Sequence, residues 1–181
     1  MLIIQCIQVA NGLAYLHESG MVHGDLKSHN VLVSGEGVAK ITGFEVAALA
    51  EHFSAFGNAT KFDGGSSVLK APELITREGS DPPESTASDV YALGMTILEV
   101  ITSNVPFYEY KFDPWVTLAV MEGKHPEQPP EFSTSTKFGD RLWSIMLECW
   151  NIQPQHRPMA KLIKQKIEDT HQALALNTAS L

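Results

Sequence analysis

Cysteine is scarce in this chain: 181 residues contain two, Cys6 and Cys149, with no CxxC pair and no Cys/His cluster. That leaves no basis for a disulfide framework or a structural zinc site. Each cysteine lies in an apolar, helix-like run, so two reduced, buried thiols are expected. Basic residues are also in deficit: thirteen Lys and Arg against twenty-one Asp and Glu give a net charge of −8. Such a balance argues against non-specific binding to nucleic acid or to an anionic membrane, and neither is expected as a partner. Long hydrophobic runs are missing as well, and no stretch is long enough to span a bilayer. The apolar opening, residues 1–10, has no Lys or Arg near it, the first being Lys27, so it does not read as a secretory leader. A cytoplasmic location is the expectation.

What is present is an ordinary globular composition, 44% apolar and 19% charged. A domain of this length buries roughly 70% of the surface its unfolded chain exposes. Leu2, Ile3, Cys6, Ile7, Ala10, Leu13, Ala14 and Leu16 recur at three- and four-residue steps, which predicts a helix over 2–19 closed by Gly20. Residues 30–33 and 38–41 flank a Gly35-Glu36-Gly37 turn and read as a small hairpin. Residues 45–70 have little periodicity and read as a long, partly ordered loop. Helices are predicted over 87–101, with Ser85 or Ser88 as cap, and over 115–122, 139–150 and 159–174. Pro126, Pro129 and Pro130 predict an extended connector. The tail after Leu176 is small and polar and is expected to fray.

The strongest chemical signal is His23-Gly24-Asp25-Leu26-Lys27-Ser28-His29-Asn30. It resembles the protein-kinase catalytic loop, H-R-D-L-K-x-x-N. The resemblance implies that Asp25 is the catalytic base for the attacking hydroxyl and that Lys27 neutralises the transferred phosphoryl group. It implies that Asn30 is the cofactor-binding residue that ligates magnesium. Further motifs follow in family order. Ala71-Pro72-Glu73 matches A-P-E. Ser88-Asp89-Val90-Tyr91-Ala92-Leu93-Gly94 resembles the start of the buried central helix, whose Asp holds the catalytic-loop backbone. Cys149-Trp150, Pro154 and Arg157-Pro158 resemble C-W-x-x-x-P-x-x-R-P, whose Arg pairs with the A-P-E Glu. The tyrosine-kinase-like branch of Ser/Thr kinases fits best, because Lys27 is the residue those enzymes carry and Gly65-Ser66 stands where they have Gly-Thr.

The resemblance covers residues 2–170. It implies a mainly α fold: a kinase-like C-lobe, a helical bundle with a small catalytic-loop β-hairpin, over residues 1–170, with the N-lobe absent and 171–181 as a C-terminal tail. Four departures bear on function. Where D-F-G should stand, the chain has Gly43-Phe44-Glu45, so the aspartate that holds magnesium against the phosphates is a glycine. Phe44 and His23 survive, which in the family stack as a structural pair. Gly24 replaces the Arg that meets an activation-loop phosphate, so control through Ser54, Thr60 or Ser66 is not expected. Leu69 replaces a Trp before A-P-E. Finally, nothing resembles the N-lobe's Gly-rich loop, its Lys or its Glu.

ATP and Mg2+ are therefore the cofactors implied by resemblance, while Gly43 and the missing lobe argue against their binding. Three readings follow: an active Ser/Thr kinase, a pseudokinase module that binds other proteins, and a truncated product with no role of its own. A protein partner or substrate is not named by the sequence. A missing N-lobe, or self-association through the exposed lobe face, is the expected contact.

Overall fold

The computed structural model describes residues 2–43, 70–75, 84–133 and 137–178. The predicted loop over 45–70, and with it Phe44, Glu45, Ser54, Thr60, Gly65, Ser66 and Leu69, lies outside the described residues except for Lys70. Six α-helices and one two-stranded sheet account for the regular structure described. They are α1 (Leu2–Glu18), β1 (Val31–Val33), β2 (Ala39–Ile41), α2 (Thr86–Thr102), α3 (Asp113–Met121), α4 (Pro130–Ser133), α5 (Lys137–Cys149) and α6 (Ala160–Thr178). The fold is mainly helical, with a single small hairpin, as a kinase-like C-lobe requires.

Helix α2 is the centre of the bundle. Every residue from Ser88 to Leu98 is buried, which a helix achieves only when neighbours cover all its sides. Its start is fixed by a reciprocal cap. Ser88 N donates to Ser85 Oγ at 3.1 Å, and Ser85 N donates to Ser88 Oγ at 2.9 Å. The two candidate cap serines thus act together, satisfying two end donors at once.

Around this core, α1 and α5 pack on α2, α6 packs on α1 and α5, and the hairpin leans on α1. The buried stripes follow helical spacing: Cys6, Val9, Ala10 and Leu13 on α1, Leu142, Ile145, Met146 and Cys149 on α5, and Ala160, Ile163 and Ile167 on α6. Both cysteines are buried, free thiols, and burial pushes each up to about 12, so neither is nucleophilic near neutral pH.

The hairpin pairs antiparallel with Val31 opposite Ile41 and Val33 opposite Ala39. Its first strand is one residue shorter than predicted. Asn30 belongs instead to a 3₁₀ turn over Ser28–Asn30, where its N–H bonds Lys27 O at 2.9 Å. The proline-rich stretch also differs from expectation. Residues 124–129 are irregular, but Pro130 opens the short α4, because the first helical position needs no N–H donor. That turn seats Phe132 in the core against Trp143, ring centroids 5.5 Å apart.

Gly94 marks a close approach within the bundle. A Cβ there would lie 2.6 Å from Trp150 Nε1 and 2.8 Å from Cys149 Cβ. Glycine at this point lets α2 touch the end of α5. Gly94→Ala is expected to destabilise the chain by about 1–3 kcal/mol through overpacking, read from the urea midpoint. An unchanged midpoint would mean that the two helices have slack the structure does not show.

Candidate active site

The loop between α1 and β1 carries His23 to Asn30, and it is held from below by α2. Asp89, on the first turn of α2, is 2% exposed. Its Oδ2 accepts from His23 N at 2.7 Å, its Oδ1 accepts from Gly24 N at 2.9 Å, and His17 Nε2 donates to Oδ2 at 2.8 Å. A buried carboxylate is tolerable when its oxygens are this fully hydrogen-bonded.

His23 braces the loop from within. Its Nε2 donates to Thr42 O at 3.0 Å, and its Nδ1 accepts from Asp25 N at 3.2 Å, which fixes the tautomer. The buried ring therefore ties the loop to the segment leaving β2. Above it, Lys27 Nζ lies 2.7 Å from Asp25 Oδ2 and donates to Oδ1 at 3.0 Å. Asn30 Nδ2 donates to Asp25 O at 2.6 Å and to Oδ2 at 3.1 Å. The structure thus brings Asp25, Lys27 and Asn30 into one polar cluster, with a carboxylate placed to accept a proton and a cation beside it.

A second anchor joins two distant segments. Ala71-Pro72-Glu73 leads into a 3₁₀ turn over Pro72–Leu74. Arg157 Nη1 and Nη2 donate to Glu73 Oε1 and Oε2, both at 2.7 Å. Arg157 Nε donates to Asn151 O at 2.8 Å, Nη1 donates to Ala87 O at 3.0 Å, and the guanidinium lies 5.1 Å over the Tyr91 ring. This is the bidentate geometry for which arginine's planar fork is suited.

Magnesium is the ion that such a loop would hold, usually through one or two carboxylates and substrate phosphates. The described residues do not fit it. Gly43 offers no side-chain oxygen, the Asp25 carboxylate already faces the Lys27 ammonium, and Asn30, its NH2 held on Asp25, can offer only its neutral amide oxygen. Among the described residues no group of three or more His, Cys, Asp or Glu could hold a metal.

Comparison with known proteins agrees with this architecture. The family described as protein tyrosine and serine/threonine kinase matches residues 1–167. The chain belongs to the protein kinase superfamily. It is 31% identical to a light-sensor protein kinase of Ceratodon purpureus over 90% of this chain and 13% of that protein. It is 32% identical to mitogen-activated protein kinase kinase kinase 1 of Arabidopsis thaliana over 84% of this chain and 23% of the relative. A probable serine/threonine-protein kinase of Dictyostelium discoideum is 34% identical over 90% of this chain and 30% of its own length. The kinase relatives are thus several times longer than the segment they share with this chain.

Sequence reasoning assigns no role to His17, Thr42, Tyr91 or Asn151. His17 sits six positions before His23, at the end of α1, and nothing in that spacing reveals a shared partner 72 residues away. Tyr91 carries a faint signal as the ring under a buried guanidinium, since it lies two residues after Asp89 on an otherwise apolar helix.

Arg157→Ala would strand the Glu73 carboxylate and leave Asn151 O and Ala87 O without their donor. Because Glu73 keeps 23% exposure, the expected loss is about 3 kcal/mol, the lower end for a broken buried pair. Guanidinium unfolding measures it, and a loss below about 1 kcal/mol would reduce the pair to an ordinary surface contact.

Proposed function

We propose that this chain is a kinase-derived module that does not transfer phosphate by itself and acts by binding another protein. Gly43 carries the reading. Phosphoryl transfer depends on positioning and on electrostatic stabilisation, much of it supplied by metal ions that bridge the phosphates. Removal of one preorganised electrostatic group typically costs about 10²–10³ in rate. Here the carboxylate of the metal site is absent at Gly43, and the Asp25 carboxylate is already engaged by Lys27. ATP and Mg2+ are therefore expected to bind weakly or not at all.

The binding role is supported by apolar surface around the hairpin. Leu32 is 60% exposed, Val33 50% and Val38 36%, and Leu2 and Ile4 at the start of α1 are exposed as well. Exposed apolar side chains on one hairpin are suited to contact with another surface. In the superfamily the N-lobe sits on this side, so a kinase N-lobe, in the same or another chain, is the occupant this reading favours. A cytoplasmic setting fits the free buried thiols.

A second reading has its own support. Asp25, Lys27 and Asn30 are preassembled, so a partner that supplied both a nucleotide site and a metal ligand could use them. Incubation of the chain with Mg-ATP and a generic Ser/Thr substrate discriminates. No incorporated phosphate and no nucleotide-dependent rise in melting temperature are expected. Transfer that Asp25→Asn abolishes would contradict the proposal.

A further inference from the structure

Helix α1 carries two stripes. Cys6, Val9, Ala10 and Leu13 turn to the core. Gln8, Asn11 and Tyr15 recur at the same three- and four-residue steps on a face that the core leaves open. This second face lines a cavity of about 590 Å³, which β2 and α6 close on its other sides. The volume falls within the roughly 300–1,000 Å³ of small-molecule sites. None of the lining residues belongs to the His23–Asn30 loop.

The floor is apolar and its walls are fixed. Ile7 and Leu16 of α1 meet Ala39 and Ile41 of β2 there. Gly12 lets the hairpin come down onto the helix, since a Cβ at this position would lie 3.2 Å from Ile41 Cδ1, closer than carbon atoms favour. Gln8 Oε1 accepts from Ala39 N at 2.8 Å and fastens β2 to α1. That bond also occupies the outward N–H at Ala39, so this strand edge lacks a donor that an added peptide strand would need. The cavity therefore suits a small molecule better than an extended peptide.

The rim is cationic. Lys40 on β2 and Lys164 on α6 line the cavity, and Glu168 is the one acidic residue among its lining. Lys40 makes no ion pair among the described residues. Lys164 Nζ lies 3.5 Å from Glu168 Oε1, longer than the roughly 2.7–2.9 Å of a tight charge-assisted bond. Lysine also precedes glutamate in this pair, the weaker order on a helix. Both ammonium groups thus keep capacity for another anion. Two cations against one carboxylate make the cavity locally positive in a chain of net charge −8.

We propose that this cavity binds a small amphipathic carboxylate, its apolar body on Ile7, Ala39 and Ile41 and its anionic head met by Lys40 and Lys164. The site stands apart from Asp25 and does not depend on whether the chain transfers phosphate.

Titration of the full chain with 1-naphthoate and with its uncharged analogue 1-naphthamide, followed by amide NMR, tests the proposal. Naphthoate is expected to bind saturably at millimolar concentration or below, shifting the amides of Gly12, Ala39 and Ile41. Naphthamide is expected to bind at the same place about 5-fold more weakly. Lys40→Met and Lys164→Met keep most of each apolar stem and remove the charge. Each should weaken naphthoate about 2- to 5-fold, and together they should bring it to the affinity of the amide. The natural chain gives a second measurement that needs no variant: a rise from 50 mM to 500 mM NaCl should weaken naphthoate and leave naphthamide unchanged. Absence of saturable binding, equal affinity for acid and amide, indifference to the lysines or to salt, or shifts confined to Leu32 and Val33 would each overturn the proposal.

Discussion

The Asp89 carboxylate accepts from the backbone amides of His23 and Gly24 and from His17 Nε2, and it does so from the first turn of a helix buried at every residue from Ser88 to Leu98. This arrangement ties the conformation of a polar loop to the hydrophobic core. Replacing Asp89 by an apolar residue would leave the buried His23 N–H without its acceptor, worth about 1–3 kcal/mol in desolvation, and would release the more exposed Gly24 N–H. The loop therefore cannot relax while α2 stays packed. Position near the N-terminus of α2 helps further, since the unpaired N–H groups there favour negative charge.

The other polar anchor reaches the same end of α2. Arg157 donates to Ala87 O, lies over Tyr91 and clamps Glu73, so the turn at Pro72–Leu74 and the segment before α6 meet on one helical turn. Ser85 and Ser88 cap that turn. Three segments far apart in sequence thus take their positions from residues 85–91. None of these bonds involves a substrate, a nucleotide or a metal. Fold and phosphotransfer chemistry are separable here, and a chain that lost the second could keep the first.

Much of this architecture is legible in the amino-acid sequence. The apolar steps of α1, α2, α5 and α6 are regular because each helix buries one face or, for α2, all faces. Asp89, Glu73 and Arg157 stand in motifs whose residue types match their contacts. The remainder depends on tertiary context. A proline run reads as extended until one proline falls at a first helical position, as Pro130 does. His17 looks like an ordinary helix-terminal residue until α2 brings Asp89 to it. The tie between Thr42 and Asn30 O is invisible in sequence, because it depends on the pairing of the two hairpin strands. The residues around Phe44 lie outside those described.

The catalytic-type loop is tied to α2 through Asp89. Amide hydrogen exchange at His23 and Gly24 tests this most directly, since both N–H groups end on Asp89. Both amides are expected to exchange only through global unfolding, as slowly as the core of α2, and at the same rate with and without Mg-ATP. Fast exchange in the chain alone, or protection that arises only when Mg-ATP is added, would contradict it.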